Sequence, residues 1–234
     1  MDKYLMRLES AKAQLIEQIR SHSLLARCRA GNVTLDELKI LLVQQGLYSA
    51  HFTRYLCAMM ANLPSNNEVL ELAENLFEEL GLAPDSPQPH HLIYREMLDH
   101  YALTLDDAQP LSGTQRLIES MYQHCRDPNP ASGLGALCLG AEALVPSIYS
   151  DIICGFESHG ASQHDIAFFH IHVACDDGHA ETIRDIMLDI ASTAPEQIDV
   201  MIRAGTELVE ARLAFFSAIE AAHQERQRAQ PAIA

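Results

Sequence analysis

Three residues of types that bind metal ions share one face of a predicted helix. The segment FFHIHVACDDGHAE (168–181) begins an apolar stripe with helical spacing. At positions of this stripe where leucine or valine is expected, the sequence has His172, Asp176 and His179. Their i, i+4 and i+7 spacing places the three side chains on one face of the helix. The stripe therefore predicts a functional site within the core.

Buried polar side chains need a partner, and a metal ion is the simplest partner for imidazoles and a carboxylate. Without one, each buried group costs several kcal/mol. Asp176-x-x-His179 also has the carboxylate–histidine spacing by which helix bundles hold di-iron centres. Gly178 weakens the helix locally, which a bound metal would offset. The alternative is a polar helix face or histidines hydrogen-bonded in the core. Asp177 lies about 100° round the helix and is predicted to be a solvated acid.

Two further acids interrupt segments that should be apolar. Glu142 is the only acid between Asp127 and Asp151, within GLGALCLGAEALVPSIYSDIICGF (133–156), and a lone buried carboxylate there requires a partner.

The other acid lies in EVLELAENLFEEL (68–80), where helical periodicity places Glu79 on the buried face. The same periodicity places Glu78 on the solvent face with Asn75. For Glu79 the alternative is an ordinary acid at a helix end.

Composition narrows the class of protein. The chain has 234 residues, of which 48% are hydrophobic, and 32 acidic against 16 basic residues give a net charge of −16. This charge argues against nucleic acid or an anionic membrane surface as a partner. No signal peptide is predicted, and no stretch is expected to reach the roughly 20 apolar residues of a membrane span. The six cysteines lack CxxC spacing and are typical of reduced thiols. These features predict a cytoplasmic protein.

The breaks along the chain predict an all-α fold. No alternating β-branched run is present, and Gly/Pro/Asn/Ser clusters separate about eight helices. Thr34 and Glu37 are expected to form a capping box for the second helix. We expect one domain over residues 1–234, with a frayed tail from about residue 225. The clusters lie at 29–34, 62–67, 81–89, 106–113, 126–133, 157–162 and 192–195.

Four blocks of sequence resemble a known family. NLFEELG, HHLIYREML, LGAEALVPSIY and FFHIHVACDDGHAE, in this order, resemble the haem-oxygenase-like di-iron oxidases, which include the CADD proteins and several natural-product oxygenases. The agreement covers residues from about 20 to 190. The resemblance implies a compact bundle of seven or eight helices that holds a non-haem di-iron site. The metal ligands that it implies are Glu79, His90, Glu142, His172, Asp176 and His179.

Within this set His90 has a competitor. His90 fits the family's frame, in which a histidine is followed after two residues by an aliphatic–aromatic pair. His91 lies one residue outside this frame, and the proline-rich loop 81–89 allows the register to shift by one residue. Two other histidines are weaker candidates. His223, in Glu220-x-x-His223, repeats the ligand spacing in a polar segment, and His22 lies where a haem oxygenase keeps its axial ligand.

The donor set and the resemblance together predict a function. Imidazoles and carboxylates without a thiolate suit Fe(II) or Mn(II) and differ from a structural zinc site. Glu142 is the expected bridging ligand, and we assign catalytic roles to Glu142 and His172. The resemblance implies two irons and no haem, with O2-dependent oxidation of a small amino-acid- or amine-like substrate. The outcome would be N-oxygenation, or oxidative C–C cleavage or decarboxylation, and an external electron donor is left open.

Four residues are predicted to line the substrate pocket, with plain core packing as their alternative. They are Gln45, Tyr48, Phe52 and Tyr149.

Two other classes remain open. A metal-free relative would use a cysteine nucleophile, as thiaminase-like proteins do, or would act like the quinone-cofactor-forming oxidase; Cys138 and Cys175 are the cysteines placed for nucleophilic work. A non-catalytic helical interaction protein is the third class. A homodimer is expected from apolar residues spread over more than one face of the last helix, namely Leu208, Leu213, Phe215, Phe216 and Ile219.

Overall fold

The helices lie between the Gly/Pro/Asn/Ser clusters of the sequence. A computed structural model describes residues 2–84, 86 and 88–229, and the side chains of residues 2 and 174–177 are outside the described part. Within these ranges the chain has eleven α-helices, one 3-10 turn and no strand, which confirms the all-α prediction. The helices are α1 (Asp2–Arg20), α2 (Ser23–Arg29), α3 (Leu35–Ser49), α4 (Phe52–Met60), α5 (Asn66–Glu79), α6 (His90–His100), α7 (Ser112–Cys125), α8 (Pro130–Gly140), α9 (Val145–Glu157), α10 (Ala167–Thr193) and α11 (Gln197–Ala229); the 3-10 turn is Glu142–Leu144.

The eight predicted helical segments are present, but three of them are each divided in two. The divisions fall at residues 21–22, 50–51 and 141–144. At the first, His22 adopts an extended conformation, and its Nδ1 accepts a hydrogen bond from the Leu24 N–H at 3.2 Å, so it caps α2. The helix count therefore exceeds the predicted seven or eight.

The third division places Glu142, and Pro146 explains it. In a continuous helix the ring of Pro146 would collide with the carbonyl of Glu142, four residues earlier. The chain instead ends α8 at Gly140, makes a 3-10 turn and starts α9 with Pro146 in its first turn. As a result Glu142 lies in a turn between two core helices.

Glycines allow α8 to pack closely on α11, the helix with which it makes its most extensive contact. A Cβ at Gly135 would lie 2.2 Å from the carbonyl oxygen of Met201, and a Cβ at Gly205 would lie 2.6 Å from the Cβ of Leu139. Buried apolar residues from all eleven described helices join this contact in one continuous cluster. The close approach fixes the helix that precedes Glu142 against α11.

One expectation from composition is wrong. The segment Pro130–Glu157 is long and apolar enough to cross a membrane, although no such stretch was expected. In the structure 72% of its most apolar window is buried against the rest of the chain. Most of this segment, which comprises α8, the 3-10 turn and α9, is therefore part of the buried core.

The helix ends differ from expectation in two places. Thr34 caps α3 by accepting the Glu37 N–H at 3.2 Å, but the Glu37 carboxylate binds Arg27 at 2.6 Å and does not complete a capping box. A complete capping box occurs instead at the start of α5, between Ser65 and Glu68. At the C-terminus, residues 225–229 continue α11 where fraying was expected, and residues 230–234 are outside the described part.

The apolar residues of α11 are buried within the chain. Leu208, Phe215, Phe216 and Ile219 each expose at most 1% of their surface, because α7 and α8 pack against α11. Leu213 is half-buried. The basis given for a homodimer is therefore wrong, and the dimer itself stays a prediction.

Candidate metal centre

Three of the predicted ligands meet at one point in the core. Glu79 is the last residue of α5, His90 is the first residue of α6, and His172 lies in the second turn of α10. All three side chains are buried, and one donor atom from each lies within 4.8 Å of the other two. Three elements that are distant in sequence thus bring two imidazoles and one carboxylate together.

The ring of His172 is oriented by the backbone. Its Nδ1 lies 2.8 Å from the carbonyl oxygen of Phe168, which can only accept, so Nδ1 carries the proton and donates. In the neutral ring Nε2 therefore carries the lone pair, and it lies 3.7 Å from Glu79 Oε1. A hydrogen bond from one ring nitrogen to a carbonyl, with the other nitrogen free to coordinate, is the usual arrangement of a metal-bound histidine.

His90 approaches Glu79 without a hydrogen bond. Its Nδ1 lies 3.1 Å from Glu79 Oε1, but the ring geometry does not satisfy a hydrogen bond, while Nε2 lies 3.3 Å from Ser86 Oγ. The His90 and His172 rings pack edge to face with centroids 4.7 Å apart. The donors therefore converge on a shared point, which fits a cation between them. His91 is exposed at the rim of the adjoining cavity, so the structure places His90 in the cluster.

The charges in the cluster support ligation. Burial raises the pKa of Glu79, but His172 and His90 lower it by more, to about 2, so Glu79 is a carboxylate at neutral pH. Burial lowers the pKa of His90, and Glu79 outweighs that effect, so the net shift is upward.

One carboxyl oxygen of Glu142, Oε1, has no hydrogen bond to any residue that the structure describes. Glu142 is 3% exposed. Burial raises the pKa of Glu142 to about 7; Glu79 adds to that shift, and His179 and Arg212 act against it. His179 and His90 are close enough to lower the pKa of Glu142. A buried carboxyl oxygen in these surroundings that lacks a hydrogen bond is suited to bind a metal ion.

His179 does not join the cluster of three. Its Nε2 lies 2.6 Å from Glu78 Oε2, across the contact between α10 and α5. Glu78 was expected in solvent, and it is instead half-buried. Asn75, also expected in solvent, is 4% exposed, because α5 turns the face of Leu72, Asn75 and Glu79 to the core. The side chains of Asp176, Asp177 and Cys175 are outside the described part.

A cavity of about 720 Å³ opens on the cluster, a size typical of a small-molecule site. Gln45 donates hydrogen bonds to Tyr149 Oη at 3.1 Å and to Ser49 Oγ at 3.0 Å, which holds this wall together. The cavity is lined by the ligand candidates Glu79, His90, Glu142 and His172 and by all four predicted pocket residues, Gln45, Tyr48, Phe52 and Tyr149.

The two weaker histidine candidates have structural partners. His223 Nε2 contacts Thr34 Oγ1 at 3.1 Å and Gln227 at 2.9 Å. Glu220 binds Arg27 at 2.6 Å. His22 caps α2 through Nδ1 and contacts Ser217 Oγ at 3.0 Å through Nε2.

Two residues of the site were missed from the sequence. One is Glu78, which holds His179. The other is Arg212 on α11, which is 4% exposed and lines the cavity. Arg212 interrupts the apolar stripe that contains Leu208 and Phe215, the same signal that identified the histidines of α10.

The fold and the buried histidine–carboxylate cluster define an all-α protein with a candidate metal site. Residues 39–213 match the family of iron-containing redox enzymes, and the chain belongs to that family.

Solved structures confirm the haem-oxygenase-like fold. A domain of unknown function with a haem oxygenase-like fold from Shewanella denitrificans is 18% identical, with a TM-score of 0.81 over 97% of this chain and 96% of that one. A CADD-like protein of unknown function from Nostoc punctiforme is 15% identical, with a TM-score of 0.74 over 93% and 98%. A TenA homologue from Pseudomonas syringae is 14% identical, with a TM-score of 0.75 over 94% and 92%. At these identities the likeness establishes the fold alone.

One curated relative matches in part. A 69-residue stretch is 33% identical to 4-carboxymuconolactone decarboxylase from Acinetobacter baylyi. The match covers 30% of this chain and 41% of that enzyme, so it spans less than half of the relative's length.

Proposed function

We propose that this protein is a cytoplasmic, O2-dependent oxidase or oxygenase that uses two iron ions to oxidise a small organic substrate. The observation that carries the proposal is the convergence of Glu79, His90 and His172 on one point in a cavity that Glu142 also lines. Among the described residues one carboxyl oxygen of Glu142 has no hydrogen-bond partner. Membership in the family of iron-containing redox enzymes supports iron over manganese. N-oxygenation and oxidative C–C cleavage or decarboxylation are the proposed outcomes, and an external electron donor belongs to the proposal.

The chain's own residues would do most of the positioning. Glu79, His90 and His172 would hold one ion, and Glu142, Asp176 and His179 complete the six ligands. When bound, the ions supply the redox chemistry that these side chains lack. Tyr149 and Phe168 pack against the ring of His172, with ring centroids 5.9 Å and 4.1 Å away, and hold it in place.

Glu142 links metal binding to proton release. With a pKa raised to about 7 by burial, its carboxyl group is still partly protonated near neutral pH in the metal-free protein. A metal ion requires the carboxylate, so binding must displace that proton. Metal affinity should therefore increase as the pH rises toward and above 7.

The thiaminase-like alternative depends on a nucleophilic cysteine. Cys138 is 4% exposed, burial raises the pKa of its thiol to about 12, and its Sγ faces the Ala180 carbonyl at 3.5 Å. It does not line the large cavity, so a thiolate there is disfavoured. The side chain of Cys175 is outside the described part, and Cys175→Ser tests this alternative, because the oxidase should retain its activity in that variant.

Oxygen uptake tests the oxidase. Protein loaded anaerobically with Fe(II) is mixed with dissolved O2 in an electrode chamber, next to Glu142→Gln and a sample of Fe(II) in buffer alone. We expect rapid uptake by the wild type, and uptake no faster than the buffer sample by Glu142→Gln, because a neutral amide cannot replace the carboxylate ligand. Equal uptake by wild type and buffer would refute the proposal.

A further inference from the structure

A second, smaller pocket lies beside the turn that holds Glu142. It has a volume of about 50 Å³ and lies between α1, α8 and α10. Glu142 lines the large cavity, whereas the next residue, Ala143, lines the small pocket. Successive residues of a 3-10 turn project about 120° apart, so neighbours in this turn face different spaces. Among the described residues none lines both spaces, so a molecule in the large cavity leaves the small pocket open.

The floor of the small pocket is apolar, and most of its side chains are small. Ala143 directly follows Glu142, and Ala180 directly follows His179, so two floor residues are neighbours of proposed metal ligands. Cys138 Sγ donates to the carbonyl oxygen of Ala180 at 3.5 Å, which joins α8 to α10 at the floor. The floor residues, each at most 7% exposed, are Leu8, Cys138, Leu139, Ala143 and Ala180.

The Cys138 thiol lies close to Glu142 and also close to the rim of the small pocket. Burial raises the pKa of this thiol, and the charge of Glu142 raises it further, whereas Lys12 and Arg184 at the rim lower it. Charges shift the pKa of a group in this way only from nearby. The small pocket therefore leads from the surface of the protein toward the candidate metal centre.

The rim of the small pocket carries two acids and two bases. Arg184 on α10 lies 4.0 Å from Glu9 on α1 and 3.6 Å from Glu181 on its own helix, and Lys12 is the second base. Because these charges balance, the rim favours neither an anion nor a cation. An apolar space of this size suits a small uncharged molecule, since small apolar cavities in proteins bind such molecules as xenon.

We propose that the small pocket is an O2-binding site through which O2 reaches the metal centre while the organic substrate occupies the large cavity. O2 is small and apolar, so it favours an apolar floor over water. Separate spaces allow both reactants to be present at once. This inference rests on the proposed function, because it assigns the entry of the oxidant to the same metal centre.

Xenon tests the small pocket in the metal-free protein. Xenon binds in the kind of space that O2 enters, and its anomalous scattering locates it in a crystal. We expect crystals of the full chain under xenon pressure to show an atom above the floor formed by Cys138, Ala143 and Ala180. An empty small pocket, or xenon in the large cavity alone, would overturn the proposal.

Two variants of α1, a helix that carries no proposed metal ligand, make the test specific. Leu8→Phe places a larger side chain in the small pocket and should abolish xenon binding there. Leu15→Phe is the matched control, because Leu15 is a buried leucine two turns further along α1 that lines neither space. It should keep the xenon. Loss of xenon in both variants would mean that the packing of α1, and not the small pocket, determines binding.

The O2 dependence of oxygen uptake connects the small pocket to the reaction. In iron-loaded protein, Leu8→Phe should raise the O2 concentration for half-maximal uptake severalfold and leave the maximal rate and the iron content unchanged. Leu15→Phe should match the wild type. An unchanged O2 dependence in Leu8→Phe would overturn the O2 route alone. No uptake by the wild type would refute the proposed function and the route with it, so the two failures are distinguishable.

Discussion

Each residue of the buried cluster is fixed by a different local feature. Glu79 ends α5, and His90 starts α6 directly after Pro89, whose fixed φ sets the entry of that helix. His172 is held by its bond to the Phe168 carbonyl. Because a different local feature holds each of these three residues, a substitution at one position should remove one ligand without moving the other two.

The adjacent histidines at the start of α6 provide a matched pair for this test. We expect His90→Ala to lose iron at one or both positions, because it removes a buried nitrogen 3.1 Å from Glu79. His91→Ala should retain the full iron content, because His91 is exposed. Metal analysis after anaerobic loading measures both, and loss of iron in His91→Ala with retention in His90→Ala would reverse the assignment.

Glu142 predicts a pH dependence of stability in the metal-free protein. Its pKa is raised from 4.5 to about 7 in the folded state, so the folded state binds more protons between these values. Stability therefore falls as the pH rises from about 4.5 through 7, by on the order of 3 kcal/mol. Glu142→Gln removes this loss, and its stability relative to wild type should increase between pH 5 and pH 8 in urea unfolding.

The control for this comparison is Glu157→Gln, which removes an exposed acid at the end of α9. Its stability relative to wild type should change little over the same pH range. A difference between Glu142→Gln and wild type that does not vary with pH would mean that Glu142 is ionised normally in the folded protein.

The sequence pointed to most of this cluster but not to all of it. Glu79 and His172 could be predicted because a polar residue interrupts a helical stripe at each position. Arg212 interrupts the α11 stripe in the same way and could have been found by the same rule. Glu78 could not, because its role depends on α10 packing beside α5, which periodicity within one helix does not report.

At the scale of the element, two glycines have opposite roles. A Cβ at Gly135 would lie 2.2 Å from a backbone oxygen of α11, so Gly135→Ala should separate two helices and cost about 1–3 kcal/mol. A Cβ at Gly178 would meet no atom within 4 Å, so Gly178→Ala should stabilise α10 by about 0.5–1 kcal/mol. Urea midpoints of the metal-free proteins measure both changes, and shifts in the same direction would contradict this packing.

Helix boundaries were predictable where a cluster of turn residues marks them. The 141–144 break has no such cluster, and its signal is Pro146 alone, which acts on the carbonyl four residues earlier. The 50–51 break has neither a proline nor a side-chain cap, so it depends on packing that the local sequence does not encode. The burial of Glu142 could therefore be predicted from the sequence, whereas its position in a turn was found only in the structure.

At the scale of the whole molecule, the homodimer needs a new interface. Apolar side chains are exposed on α5, the turn after it and α6, and we predict that a second copy covers them; they are Leu70, Phe77, Leu80, Leu82 and Leu92. Light scattering should return twice the chain mass of 26.0 kDa for the wild type and one chain mass for a Leu70→Asp/Phe77→Asp variant. Met6→Asp, at an exposed site on α1, is the control that should stay dimeric. A wild-type mass of one chain would remove the prediction.

The measurement that most directly tests the proposed di-iron site is the iron content of the whole chain. Protein is loaded anaerobically with Fe(II), freed of unbound metal and analysed for iron per chain. The six proposed ligands predict about two iron ions per chain. No bound iron, with the fold intact by circular dichroism, would contradict the account and leave Glu79, His90 and His172 as a buried structural cluster on a haem-oxygenase-like fold.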